Sequence, residues 1–404
     1  MEQGVLCQGR PFPTMRSFAG AKDDDMTFRQ TCVFLLGSLL PGFVLALVAT
    51  AVMRVLSPRI GLIDQPNQRK VHLTPIPLGG GIGIWLGMVG TFAAGQVALW
   101  LVQSNPSLRE LVPDFALPHL AGIQSQVAKL WVLLGAGTVL MLLGLADDRW
   151  GLPWQGRLLT QVVVAAACVY FIPNLRLTLF IKLPWFTGLL SVLWIVALIN
   201  SFNMLDNMDG LSAGIATIAA GFLAAVMLLA PDPETRGPQL FIAGFLLVLV
   251  GSLVGFLWHN RPPARIFMGD AGSYFVGFNV AAATLLASYT GYQGEHRHAI
   301  LAPLLVMAVP LYDLLTVITI RVRSGRSIFA ADKNHFSHRL VELGLTKPQA
   351  VLTVYLTTAT CGLAALLLHR VDFVGAIILM LIVGCTLSLI AILETTARRK
   401  INEP

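Results

Sequence analysis

From residue 31 to residue 393 the chain is a succession of apolar runs separated by short stretches rich in Pro, Gly and charge. Each run is close to the ~20 residues that carry a helix across a bilayer. In hydrocarbon the backbone has to satisfy its own hydrogen bonds, and a helix does so within one segment. The sequence therefore predicts an all-α integral membrane protein, a polytopic bundle of about eleven transmembrane helices. The spans are expected near 31–56, 78–102, 129–146, 156–173, 187–204, 211–230, 239–258, 271–290, 298–320, 349–368 and 371–393. The closely spaced last pair is also compatible with a re-entrant hairpin.

Composition agrees. Only 12% of the 404 residues are charged, against about 25% in a globular chain. There are too few polar side chains to solvate a soluble surface, which excludes a water-soluble monomer, a disordered chain and a nucleic-acid partner. Cys32, Cys168, Cys361 and Cys385 lie in apolar runs and Cys7 stands alone, so neither a disulfide nor a zinc site is expected. Three segments follow: a tail over 1–30, expected to be disordered, a transmembrane domain over 31–393 and a cytoplasmic tail over 394–404. Residues 1–25 contain no apolar core of a signal peptide, and Met26 is a candidate alternative start.

Orientation follows from Lys and Arg, which favour the cytoplasmic side. With the N-terminus outside, 17 of the 28 basic residues fall in inner segments and 11 in outer ones, four of the latter in the N-terminal tail. The N-terminus is expected out and the C-terminus in.

Ionisable groups near hydrocarbon are costly and mark functional positions. On this topology they collect at the inner ends of spans. Asp147-Asp148 closes the third span, where the helix dipole disfavours carboxylates. Arg149 is one available partner; a metal ion or a basic cluster is another. Asn203, Asp206 and Asp209 follow at intervals of three between spans five and six, a set of oxygen ligands suited to Mg²⁺ or to a nucleotide. Asp209 could alternatively cap the sixth span, and Asp270 the eighth. Gly269 and Gly272 flank Asp270 and imply close backbone approach. The longest inner loop, 321–348, carries Arg321, Arg323, Arg326, Lys333, His335, His338 and Arg339. Two histidines make a poor zinc site, whereas Arg, Lys and His together suit a diphosphate or an anionic headgroup. Gly79, Gly83 and Gly87 recur at every fourth residue without the Lys-Ser/Thr of a phosphate loop, so helix packing is expected of them. Asp313 lies inside span nine and is expected to face the bundle interior, structural and paired with an inner-face Arg.

Taken in order, Arg69-Lys70-x-His72 with Pro75-x-Pro77, Asp147-Asp148, Asn203-x-x-Asp206-x-x-Asp209-Gly210-Leu211, Phe267-Met268-Gly269-Asp270-x-Gly272-Ser273, Pro310-Leu311-x-Asp313 and Asp332-x-x-His335-x-x-His338-Arg339-Leu340 form a series. It resembles that of the polyprenyl-phosphate N-acetylhexosamine-1-phosphate transferases, glycosyltransferase family 4. The nearer branch is that of the undecaprenyl-phosphate N-acetylglucosamine-1-phosphate transferases. The resemblance runs from about residue 57 to 345. It implies transfer of a sugar 1-phosphate from a UDP-N-acetylhexosamine to undecaprenyl phosphate, with release of UMP. It further implies Mg²⁺, with Mn²⁺ as a substitute, a cytoplasmic-face site in a bacterial inner membrane and a homodimer. Residue by residue, it implies that Asp270 binds the metal with Asp147 and Asp209, and that Asp147 and Asp148 are catalytic. Asn203, Asp206, Asp209 and Asn260 would contact the nucleotide-sugar. Lys70, His72, His335, His338 and Arg339 would surround the phosphates. One departure stands out: the last loop reads His335-Phe336-Ser337-His338 where this branch has His-x-His-His, which leaves the accepted sugar open.

Such a transfer joins two anions, and cations must screen them before they react. Acids to hold the metal and bases to hold phosphates are the two classes found at the inner ends. A secondary transporter would instead concentrate its charges at the bilayer midplane, where only Asp313 lies.

Overall fold

The computed structural model describes residues 27–66, 74–110, 112, 117, 120–177, 183–230, 237–287, 289, 297–329 and 334–402. Lys70 and His72 lie outside the described residues, as do Asp332, Lys333 and positions 1–26.

Fourteen helices follow one another among the described residues: α1 (Phe28–Leu56), α2 (Gly80–Ser104), α3 (Pro106–Arg109), α4 (Leu120–Trp150), α5 (Trp154–Phe171), α6 (Pro184–Leu205), α7 (Leu211–Leu229), α8 (Leu240–Asn260), α9 (Gly269–Leu286), α10 (Ala302–Val306), α11 (Ala308–Arg323), α12 (Phe336–Glu342), α13 (Lys347–Leu367) and α14 (Phe373–Asn402). The protein is an all-α polytopic membrane protein. Each of the eleven expected intervals contains helix among the described residues. By length and apolarity alone, however, eight helices among the described residues could cross a membrane, or nine if the segments Arg297–Val306 and Ala308–Arg323, bent by 62°, form one span. The difference from eleven lies in that bend and in α5 and α9, which have 18 residues each and are not apolar enough to qualify.

α9 is low in apolarity because protein, not lipid, surrounds it. It packs against α4, α6 and α2 and is buried along nearly its whole length, including Ser273, Asn279 and Thr284. Most of those polar atoms find partners: Asn279 Nδ2 donates to the Phe275 carbonyl at 2.7 Å and Trp194 to Thr284 Oγ1 at 2.8 Å. α1 packs on α8 and α2, and α13 on α7, enclosing this centre. α1 and α14 lie outside it and expose long apolar rows such as Leu36, Val44 and Val52, or Phe373, Leu381 and Ile392. In water such surfaces would aggregate; in lipid they are the contact face.

At both ends the helices run past the limits expected for the spans. Phe28, Arg29 and Gln30 already belong to α1, started by a capping box between Thr27 and Gln30. At the other end α14 continues through 394–402, where Ala, Arg and Lys are good helix formers and basic residues suit a helix C-terminus.

Between α1 and α2 lies a two-residue antiparallel ladder, β1 (Ile63–Asp64) with β2 (Ile76–Pro77), pairing Ile63 with Pro77 and Asp64 with Ile76. Beyond it, the Phe267 amide donates to the Pro77 carbonyl, and the Gly80 and Gly81 amides donate to Phe267 and Met268, all at 2.9–3.0 Å. The start of α2 is thereby strapped to the start of α9. A Cβ at Gly81 would collide with the Gly272 backbone, so this approach requires glycine. The expected glycine packing is present too, with Gly83 against Thr50 and Gly87 against Ala46 of α1.

Candidate active site

The carboxylates predicted at span ends converge where α4, α5, α6 and α9 meet. Asp147 is 8% exposed. Its Oδ1 accepts the Leu152 amide at 2.7 Å, and its Oδ2 is paired with Arg157 Nη1. Arg157 Nη1 also lies 3.4 Å from Asp270 Oδ2, and Tyr274 donates to Asp147 at 3.4 Å. Two carboxylates from distant parts of the chain thus share one guanidinium.

Asp148, the next residue, has a different partner. Its two oxygens accept the Asp270 and Ala271 amides at 2.9 and 3.1 Å, the first free N–H groups of α9. The positive end of that helix offsets a carboxylate that the C-terminus of α4 disfavours. Gly269 turns the chain into α9 with φ 68°, and a Cβ there would strike the Asp148 carboxylate. The anticipated cation is therefore Arg157 for Asp147 and a helix N-terminus for Asp148. Arg149 lies instead against Gly61.

Asp270 does not cap its own helix; it sits in the first turn of α9, while Asp148 supplies the cap from across the bundle. Its Oδ1 accepts from Asn203 Nδ2 at 2.6 Å, and Asn203 also reaches Ser273 Oγ at 3.1 Å. Asp206 closes α6. Burial and the neighbouring Asp148 charge push its carboxyl up to about 7, although the Gly269 amide bonded to it favours the charged form.

Asp209 does not cap α7 either. α7 starts from Gly210 at φ 73°, with no side-chain cap, and Asp209 Oδ2 accepts the Ala264 amide at 2.9 Å. Asn260, 3% exposed, accepts the Gly210 amide at 2.9 Å and donates to the Ile266 carbonyl at 2.8 Å. These two residues clamp the α6–α7 turn to the α8–α9 loop. The side chain of Asn260 is directed to backbone on both sides.

The histidine segment arrives from the far end of the chain. Ser337 donates to Asn207 Oδ1 at 2.6 Å, tying α12 to the α6–α7 turn. Phe329 stacks on Trp154 with ring centroids 3.8 Å apart, bringing the end of α11 over the start of α5. His335 and His338 have ring centroids 6.2 Å apart. His335 Nδ1 lies 3.0 Å from Asp313 Oδ2, and the Phe336 amide donates to Asp313 Oδ1 at 2.5 Å. Asp313 is fully buried and its partner is a histidine, not the Arg the sequence suggested. A carboxylate at that depth does best with a partner at the same depth, and His335, 7% exposed, supplies one. Arg339, 3% exposed, bonds Glu394 at 2.8 Å, Thr316 at 3.1 Å and the Asn334 carbonyl at 2.5 Å. The structure places it in that buried cluster.

Arg157 was missed in the sequence reading. The signal was available: a single charge one turn into an apolar span, ten residues after Asp147. Glu394 gave no comparable signal, since it falls where the last span meets its tail.

A family model for glycosyl transferase family 4 matches residues 130–288, which run from α4 to just beyond α9. A decaprenyl-phosphate N-acetylglucosaminephosphotransferase of Mycobacterium tuberculosis (strain ATCC 25618 / H37Rv) is 35% identical over 328 residues, 76% of each chain. The chain belongs to this family. The relative of the same description from Mycobacterium leprae (strain TN) is 33% identical over 356 residues, covering 83% of this chain and 84% of its own. An undecaprenyl-phosphate alpha-N-acetylglucosaminyl 1-phosphate transferase of Escherichia coli (strain K12) is 28% identical over 333 residues, 80% of each chain. The matched stretch carries Asp147, Asp148, Arg157, Asn203, Asp206, Asp209 and Asp270, so this glycosyl transferase 4 chain has its acidic cluster within the family core.

Proposed function

We propose that this protein transfers N-acetylglucosamine 1-phosphate from the UDP-sugar to undecaprenyl phosphate, releasing UMP. The reaction would take place at the cytoplasmic face of a bacterial inner membrane, as the first membrane step of an envelope polysaccharide. The observation that carries this reading is the meeting of Asp147 and Asp270 on one cationic nitrogen, Arg157 Nη1. Relatives whose names describe this transfer support it.

The lipid phosphate oxygen is the nucleophile and the sugar-bearing phosphorus the electrophile. A new P–O bond forms as the bond to UMP breaks. The chain's own part is positioning and charge. Asp147, held by the Leu152 amide, would orient the lipid phosphate or accept its proton. Asn203 fixes the Asp270 carboxylate, and Asp206 and Asp209 line the approach to the nucleotide. His335 and His338, with Lys70 and His72, would face the phosphates. Arg339 and Asn260 are left out of this set, because their polar groups are turned to Glu394 and to backbone.

Mg²⁺, with Mn²⁺ as a substitute, suits the site by donor chemistry, since Asp147 and Asp270 offer hard carboxylate oxygens to a common point. Among the described residues no group of three His, Cys, Asp or Glu could hold a metal ion, so substrate phosphates would complete the shell, as is usual for Mg²⁺. Bound there, the ion would neutralise charge on the diphosphate.

UMP formation from a panel of UDP-sugars with undecaprenyl phosphate tests the reading. UDP-N-acetylglucosamine is expected to give the highest kcat/KM, and chelation of divalent ions to abolish turnover. UMP formation from none of the UDP-N-acetylhexosamines would reject it.

A further inference from the structure

We propose that the last helix, α14, is a working part of the site: Glu394 is a positioning residue that sets the histidine segment through Arg339. This rests on the transferase reading above, in which His335 and His338 face the phosphates.

Glu394 ends the span Phe373–Glu394 and is the single acidic residue within it. The rest of that helix presents Leu381, Ile382, Leu389 and Ile392 outward. A carboxylate on such a helix is costly, yet Glu394 is 5% exposed and turned inward. Its Oε2 accepts from Arg339 Nε at 2.8 Å and from Tyr312 Oη at 3.0 Å. Arg339 in turn holds the Asn334 carbonyl and Thr316 Oγ1. Asn334 is the residue immediately before His335. The segment 334–339 is thereby held from three sides: by Glu394 of α14, by Asp313 and Thr316 of α11, and by Asn207 of the α6–α7 turn.

α12 needs that outside support. It has seven residues and no side-chain cap at His335, far short of the length at which a helix sustains itself. Stability alone gives a poor account of the ion pair, because buried pairs seldom outperform apolar residues of similar volume. Among the described residues Glu394 Oε1 is buried without a partner, an arrangement not optimised for stability. A role in holding the histidines where the phosphates arrive explains both the burial and the geometry.

The test is a double-mutant cycle on the full-length protein in detergent or nanodiscs, with Arg339→Met, Glu394→Met and the double variant. UMP formation gives kcat and KM for UDP-N-acetylglucosamine. KM is the informative quantity, since a reduced folded fraction lowers apparent kcat and leaves KM unchanged. Each single variant strands a buried charge and is expected to raise KM and to lower kcat/KM by about a hundredfold. The double variant, with two apolar side chains, is expected to recover most of both. A double variant as impaired as Arg339→Met would overturn the proposal, because Arg339 would then act on substrate directly. Single variants with wild-type KM would overturn it as well. If the wild type forms no UMP from any UDP-sugar, the transferase reading fails by itself. The thermal unfolding midpoint then reads the lock: recovery in the double variant supports it, and additive losses refute it.

Discussion

Two ionic clusters lie at helix ends of the bundle, and they differ in kind. One joins Asp147, Asp270 and Arg157, with Arg157 and Asp270 side chains 28% exposed. The other joins Asp313 with His335 and Arg339 with Glu394, none more than 8% exposed. In both, carboxylates also receive backbone or phenol donors, as in the bonds from the Leu152 amide to Asp147 and from the Phe336 amide to Asp313. The charges of the second are committed to holding α11, α12 and α14 together. The first cluster has two carboxylates facing one guanidinium, and Arg157 Nε has no partner. Half-open and rich in negative charge, it is the cluster that a cation and phosphates can enter. Charge inside a membrane protein thus marks function only after its partners are known.

Breaking the open cluster should have the largest effect on turnover. Asp147→Asn keeps the acceptor for the Leu152 amide and so should fold, while losing the charge facing Arg157. UMP formation is expected to fall by about a thousandfold, with an unfolding midpoint close to that of the wild type. Breaking the closed cluster should cost stability as well as raise KM. Asp313→Ala removes partners of His335 and of the Phe336 amide, and the expected cost is about 3 kcal/mol, read as a lowered midpoint and a smaller yield of folded protein. Equal midpoints for the two variants would erase the distinction between the clusters.

Much of this was legible in the sequence. The apolar runs located every long helix, since a span must be apolar over its length wherever lipid is its neighbour. The same reasoning could not show that α9 is enclosed by α4, α6 and α2, where a helix is free to carry Ser273, Asn279 and Thr284. The acids at span ends were visible because helix ends disfavour or require them. Their partners were not, because they come from distant segments: Asp148 meets α9 more than a hundred residues later, and Asp209 meets Ala264. A capping rule that looks only at neighbouring residues offered Asp209 and Asp270 to their own helices as one alternative. Asp313 was correctly placed inside, but its histidine partner lies 22 residues further along the chain.

The central claim is that the half-open cluster is the chemical site. Asp270→Asn tests it most directly, because the Oδ1 bond from Asn203 can persist while the carboxylate charge facing Arg157 is lost. Purified wild type and variant would be compared for Mg²⁺-dependent UMP formation from UDP-N-acetylglucosamine and undecaprenyl phosphate, with unfolding midpoints measured on the same samples. The account predicts an unchanged midpoint and no detectable UMP from the variant; near-normal turnover by folded Asp270→Asn would contradict it.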